Sequence, residues 1–147
     1  DSWFKGLALA KLGRKEEAIK ALSAVEAHGQ PSAVAIAGSA AWLLQLGAFE
    51  EAERASRRAL VPRPTDPALH HLLAMVLSRL GRESEALAHY RKAAAGRSTD
   101  AAWRFDLLMS LCTLERAPEL ADGLSRAQKD FGEDPRFPEL AARCLTD

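Results

Sequence analysis

The sequence predicts an all-α solenoid of antiparallel helix pairs: about four repeats of 34 residues, closed by one further helix. Three observations predict it. The stretch "KLGRKEEA" (residues 11–18) returns as "QLGAFEEA" (45–52) and "RLGRESEA" (79–86), so Gly13, Gly47 and Gly81 stand 34 residues apart. Apolar residues on both sides of each glycine keep the same interval. No stretch shows the apolar–polar alternation of a half-buried strand.

Each repeat reads as a helix A, a glycine turn, a helix B and a short loop ending in a cap. Leu9, Leu43, Leu77 and Leu111 lie one helical turn before Leu12, Leu46, Leu80 and Leu114, which precede the turns. The glycine supplies the left-handed backbone that ends helix A. Five residues later, Ala18, Ala52 and Ala86 are small enough to let helix B approach helix A. Val25, Ala59, Ala93 and Ala127 fall late in helix B. Ser32, Asp66, Asp100 and Asp134 then offer N-caps to the next helix. Pro67 and Pro135 follow two of these caps at the first helical position, where a missing N–H costs nothing. The units are expected over 1–32, 33–66, 67–100 and 101–134, within one domain spanning 1–147. Residues 135–147 start a further helix. Its Phe137, Leu140, Ala141 and Cys144 form one apolar stripe suited to covering the end of the stack. The chain opens at Asp1 inside a truncated unit and is expected to be a piece of a longer protein.

Composition excludes several function classes. Twenty basic and twenty acidic residues cancel, so no global field draws nucleic acid or an acidic membrane. Residues 29–49 carry no charge, but Gln30, Pro31, Gln45 and several Ala, Gly and Ser make the stretch too weakly apolar for a membrane span. No signal peptide is visible, and a cytoplasmic setting is the default expectation. Cys112 and Cys144 form neither a metal pattern nor a disulfide framework, and two free, partly buried thiols are expected. The histidines are His28, His70, His71 and His89. Adjacent His70 and His71 point to different faces of one helix, so surface or groove histidines are expected and no metal site. Each glycine stands alone at a turn, which leaves no phosphate-binding loop, and nothing sets a nucleophile beside a base. Neither catalysis nor a cofactor is expected. Arg54, Arg57 and Arg58 lie among Glu50, Glu51 and Glu53, with Glu50–Arg54 and Glu53–Arg57 at i, i+4 spacing. That mixture reads as a solvated outer face, without the interleaved aromatics of a nucleic-acid surface.

The 34-residue period with this pattern resembles the tetratricopeptide repeat family. The stretch "LGAFEEAERASRRAL" (46–60), followed by Pro64, carries the resemblance best through Gly47, Phe49, Ala52 and Ala59. The third unit matches through Leu73, Ala74, Leu77, Gly81, Ala86, Tyr90 and Ala93. The fourth departs: Glu115 replaces the glycine, Leu120 replaces the alanine, and Pro118 opens helix B. Its cap spacing is intact, so it is expected to persist with altered helix packing. In the first unit, Lys5 takes a usually apolar position.

The resemblance implies a right-handed superhelix whose A helices line a concave surface. The lining positions then fall on Trp3, Ala37, His71 and Phe105, and one turn later on Leu7, Ala41, Met75 and Met109. Val34, Ala68 and Ala102 lie one turn before, while Leu44, Ser78, Cys112, Gln45 and Arg79 mark the lower edge. Most of this set is apolar. The implied function is a non-catalytic protein–protein interaction module that binds an apolar or amphipathic segment of a partner protein or peptide. The alternative is a self-associating or recruiting scaffold attached to an enzyme or assembly machine, with a homo-oligomer as its signature. Chaperone-binding members clamp a terminal carboxylate with Lys, Asn and Arg at these positions. Trp3, Leu7, Ala37, Ala41, His71 and Met75 cannot build that clamp, and the nearby cations, Arg79 and Lys11, sit at the rim.

Overall fold

The computed structural model describes residues 2–27, 32–97 and 99–146, and those residues form helices and connections without a strand. In chain order the helices are α1 (Ser2–Lys11), α2 (Lys15–Ser23, extended by a 3₁₀ turn over Ala24–Ala27), α3 (Ala33–Gln45), α4 (Phe49–Leu60), α5 (Pro67–Arg79), α6 (Glu83–Gly96), α7 (Ala101–Thr113), α8 (Ala117–Asp130) and α9 (Arg136–Cys144). Each packs chiefly on its neighbours in sequence, so the chain stacks as a one-dimensional array.

Local chemistry sets the boundaries. Oxygens of Ser32, Asp66 and Asp100 accept the N–H groups of Ala35, Ala68 and Trp103 at 3.1, 2.9 and 3.1 Å, capping α3, α5 and α7. Pro67 occupies the first turn of α5. Asp134 accepts the N–H of Arg136 at 3.0 Å, and α9 begins there, so Pro135 stands just ahead of the helix. Gly13, Gly47 and Gly81 hold φ of 78°, 82° and 79°. At Glu115 the same left-handed backbone recurs with φ 57°, in a residue that carries a Cβ.

The small residues at the repeat interval are the packing contacts. Ala18, Ala52 and Ala86 are fully buried, as are Leu43, Leu77, Ala59, Ala93 and Ala127. Gly6, Ala40 and Ala74 share the next conserved spacing on helix A, and a Cβ on Gly6 would lie 2.6 Å from Leu22 Cγ. The fourth unit inverts this arrangement. Leu108 takes the place of Ala74 and Leu120 that of Ala86, and both are buried. Gly123 makes the room: a Cβ there would lie 2.5 Å from Leu108 Cδ2. The α7–α8 pair consequently approaches less closely than α5–α6.

Helix α9 covers the far end through Phe137 and Leu140, which insert into a cluster with Leu108, Leu111, Leu120 and Leu124. This seating corrects the expectation of free thiols. Cys112, near the end of α7, and Cys144, at the end of α9, form a disulfide with Cα atoms 5.8 Å apart. Two cysteines 32 residues apart carry no local signal of pairing; they meet because α9 folds back on α7. Such bonds persist in oxidising surroundings.

The outer face is charged and interlocked. Of the two anticipated i, i+4 pairs, Glu53–Arg57 forms at 2.9 Å, whereas Glu50–Arg54 is absent from the ion pairs of the described residues. Arg82 joins successive units by donating to Glu53 at 2.8 Å and to Glu85 at 2.7 Å.

Candidate functional site

The alternate helices α1, α3, α5 and α7 carry the lining positions, and small and bulky side chains set their contacts differently along the stack. Ala37, Gly38 and Ala41 on α3 are small, so the neighbours close in. The Trp3 indole lies on Gly38, where a Cβ would approach Nε1 to 3.0 Å, and Leu7, Ala37 and Ala41 are half-buried. Helices α5 and α7 are spaced instead by bulk. The His71 ring stacks on Trp103 with centroids 4.6 Å apart, and backbone contact between these two helices is sparser than for α1–α3 or α3–α5.

Beside that stack lies a groove of about 370 Å³. Leu44, Met75, Phe105 and Met109 give its apolar lining, and Ser78, Arg79, Glu83, Tyr90, Asp106, Ser110 and Thr113 give its polar one. Four of the anticipated residues, Met75, Arg79, Phe105 and Met109, therefore meet at one place, joined by the edge residues Leu44 and Ser78. Trp3, Leu7, Ala37 and Ala41 lie outside it. His71 is a buried wall rather than a lining group: it is 9% exposed, and its Nε2 lies 2.9 Å from Asp106 Oδ2.

The groove has structured edges. Arg136 stacks over Phe105 at 5.5 Å while pairing with Asp134 at 2.7 Å. Arg143 Nη2 donates to Met109 Sδ at 3.4 Å. Ser78 Oγ donates to Glu83 at 2.8 Å. The Tyr90 phenol is pushed well above its ordinary range, first by burial and then by the Asp106 and Glu83 carboxylates, with Arg79 opposing. Glu83, Tyr90, Asp106, Ser110 and Thr113 had no place among the sequence-derived lining positions. Asp106 alone had a visible signal, as the single acid within the apolar run "FDLLMSLC". Glu83 and Tyr90 belong to helix α6, which the A-helix mapping leaves out.

The expected absence of metal chemistry meets its nearest challenge elsewhere. His70 Nε2 lies 2.8 Å from the Pro64 carbonyl and His70 Nδ1 lies 2.9 Å from His89 Nδ1. His70 is thus buried with polar partners on a different face from His71, not displayed on the surface. Among the described residues no group of three or more His, Cys, Asp and Glu is placed to hold a metal. His28 lies outside the described residues. Although His71 meets a carboxylate, the buried Ser110 hydroxyl makes no hydrogen bond, so no nucleophile is held to that pair. The arrangement suits binding.

A family model described as "Tetratricopeptide repeat" matches residues 3–25 and 67–95, the α1–α2 and α5–α6 hairpins. These two hairpins are tetratricopeptide repeats. Solved tetratricopeptide folds superpose on it almost end to end. A tetratricopeptide repeat protein from Parabacteroides merdae ATCC 43184 has a TM-score of 0.80 at 14% identity, covering 96% of this chain and 58% of that one. MamA AMB-1 has a TM-score of 0.78 at 19% identity, covering 98% and 79%. MamA 41-end from Desulfovibrio magneticus RS-1 has a TM-score of 0.76 at 16% identity, covering 90% and 76%. At these identities the likeness is one of fold. No curated protein matches the sequence. Among the described residues, no helix of this repeat protein is long and apolar enough to cross a membrane.

Proposed function

We propose that this tetratricopeptide repeat chain is a non-catalytic protein–protein interaction module that receives an apolar or amphipathic partner segment in the groove between α5 and α7. The observation that carries the reading is the convergence of Met75, Phe105, Met109 and Leu44, from three helices, on one open groove. Apolar side chains left half-exposed together usually mark a binding surface. Methionine adapts its shape to different partners. A helical ligand would present apolar anchors one turn apart to such a groove.

A pull-down followed by titration calorimetry tests it. Phe105→Ala should weaken binding by about 2 kcal/mol, and Arg57→Ala on the outer face by less than about 0.5 kcal/mol. Met75→Ala serves as the second groove variant, since Phe105 also touches Phe137. If outer-face substitutions abolish binding while both groove variants bind normally, the convex side is the functional one.

Self-association is a second reading, and one observation favours it. Leu46, Leu80 and Leu114 pack against core clusters, yet Leu12, at the same repeat position, is 71% exposed, and Phe4 is 63% exposed. Sedimentation separates the readings: a monomer that retains groove binding supports the first, and a concentration-dependent oligomer blocked by Leu12→Gln supports the second.

A further inference from the structure

The groove is not uniformly apolar, and three of its polar groups have acceptor capacity to spare. Asp106 accepts from His71 through Oδ2 and Glu83 accepts from Ser78 through Oε2, which leaves each carboxylate a second oxygen. Ser110, one helical turn after Asp106, also lines the groove. It is 2% exposed, and its Oγ has no hydrogen-bond partner. A buried hydroxyl without a partner is costly in a folded protein and calls for a group to fill it. Among the lining residues two carboxylates face one guanidinium, Arg79, exposed at the rim; at the edges Arg136 is already paired with Asp134, and Arg143 bonds Met109.

We propose that the α5–α7 groove is a receptor for a lysine or arginine side chain carried by the partner's apolar segment, with Asp106, Glu83 and Ser110 as its acceptors. The inference rests on the groove reading above and names what that groove selects. The thioethers of Met75 and Met109 and the Leu44 side chain suit the methylene stem of such a residue, which buries along apolar surface while its charged head finds partners. Donors on the cation would take the spare carboxylate oxygens and the Ser110 Oγ. A neutral donor could satisfy Ser110 but would leave both carboxylates uncompensated beside an apolar ligand. An acidic side chain would be repelled by them.

The test uses the whole chain and a library of random 12-residue peptides. Peptides selected on the chain are re-measured against Phe105→Ala and Met75→Ala to keep those bound in the groove. The expected result is that these groove binders carry a lysine or arginine among apolar residues. Replacing that residue by norleucine should cost at least tenfold in affinity on the unaltered chain, and under threefold on Asp106→Asn. Asp106→Asn keeps the shape of the side chain and removes its charge. Glu83→Gln, acting from another helix, should also reduce the discrimination and guards against a folding defect in Asp106→Asn. Groove binders without a basic preference, or a norleucine penalty unchanged in both variants, would overturn this inference and leave the groove reading standing. If neither Phe105→Ala nor Met75→Ala releases any selected peptide, the groove reading itself fails and this inference falls with it.

Discussion

The hairpins α5–α6 and α7–α8 share one repeat spacing and solve the packing problem in opposite ways. In α5–α6, small residues at Ala74 and Ala86 bring the helices close, and Gly81 makes the turn. In α7–α8, leucines occupy both positions, Gly123 yields the space, and Glu115 makes the turn at a positive φ. The first pair is held by its own contact. The second is looser and leans on α9, the Phe137 and Leu140 side chains, and a disulfide. The repeat interval therefore fixes where helices lie in the chain, while the sizes of a few side chains fix how closely they meet. The groove lies between the A helices of these two hairpins.

The largest test breaks the support of the second hairpin. Closing a loop of 32 residues should be worth about 3–4 kcal/mol on the chain-entropy account. The doubly substituted chain Cys112→Ser, Cys144→Ser should lose about that much stability in urea denaturation. Adding reductant should do the same to the unaltered chain and nothing to the double variant. A loss well below about 1 kcal/mol would mean that Phe137 and Leu140 hold α9 unaided.

Next in size is a transplant between the hairpins. Ala86→Leu places the leucine of the fourth unit into the third without its compensating glycine, and should cost about 1–3 kcal/mol by overpacking. Ala52→Leu should behave alike. The double change Ala86→Leu, His89→Gly introduces a glycine at the position equivalent to Gly123, but it also removes the His70 partner, so rescue should be partial at best. Normal stability in both single variants would place these alanines outside the contact.

Much of this comparison was legible in the sequence. The glycines, caps and buried alanines of the first three units all announce themselves, because each is a local requirement repeated at one interval. The departures at Glu115 and Leu120 were visible too. Their remedy was not: Gly123 and Leu108 become partners only when α7 and α8 are packed, and Cys144 reaches Cys112 only once α9 folds back. The groove shows the same limit. Spacing along the A helices picks out Met75, Phe105 and Met109, but it cannot tell that Trp3 seats on Gly38 or that His71 stacks on Trp103.

A third test concerns a polar contact of the α5–α6 hairpin. The Pro64 carbonyl can only accept, so His70 carries its proton on Nε2 and its Nδ1 accepts from His89. Burial, then His70, Lys92 and Arg57, lower the His89 pKa to about 4, with Glu85 opposing. The folded value lies below the ordinary histidine value of about 6.5, so the unfolded chain binds more protons between the two. The stabilisation is complete above about pH 6.5 and is lost as pH falls toward about 4, by about 2 kcal/mol after allowing for partial exposure. His89→Asn keeps a donor near the same place and removes the titration. Its stability should fall less than that of the unaltered chain between these pH values, and equal slopes would dissociate the pair from acid sensitivity.

The smallest effect compares the two turns directly. Gly81 at φ 79° and Gly47 at φ 82° adopt a backbone that disfavours a Cβ, although a Cβ would meet open space at Gly81 and an ordinary 3.9 Å contact with Lys15 Nζ at Gly47. Substituting alanine at either should therefore cost about 1 kcal/mol through the backbone alone, with no steric clash to add. Glu115 already bears that strain at φ 57°. Glu115→Gly should relieve it and stabilise the chain by about 0.5–1 kcal/mol, less whatever the extra freedom of the unfolded glycine takes back. The two changes have opposite signs at equivalent positions, and urea midpoints on matched variants resolve them. If Glu115→Gly destabilises as much as Gly81→Ala does, the Glu115 side chain is contributing to the α7–α8 junction, and the looser hairpin is held at its turn as well as by α9.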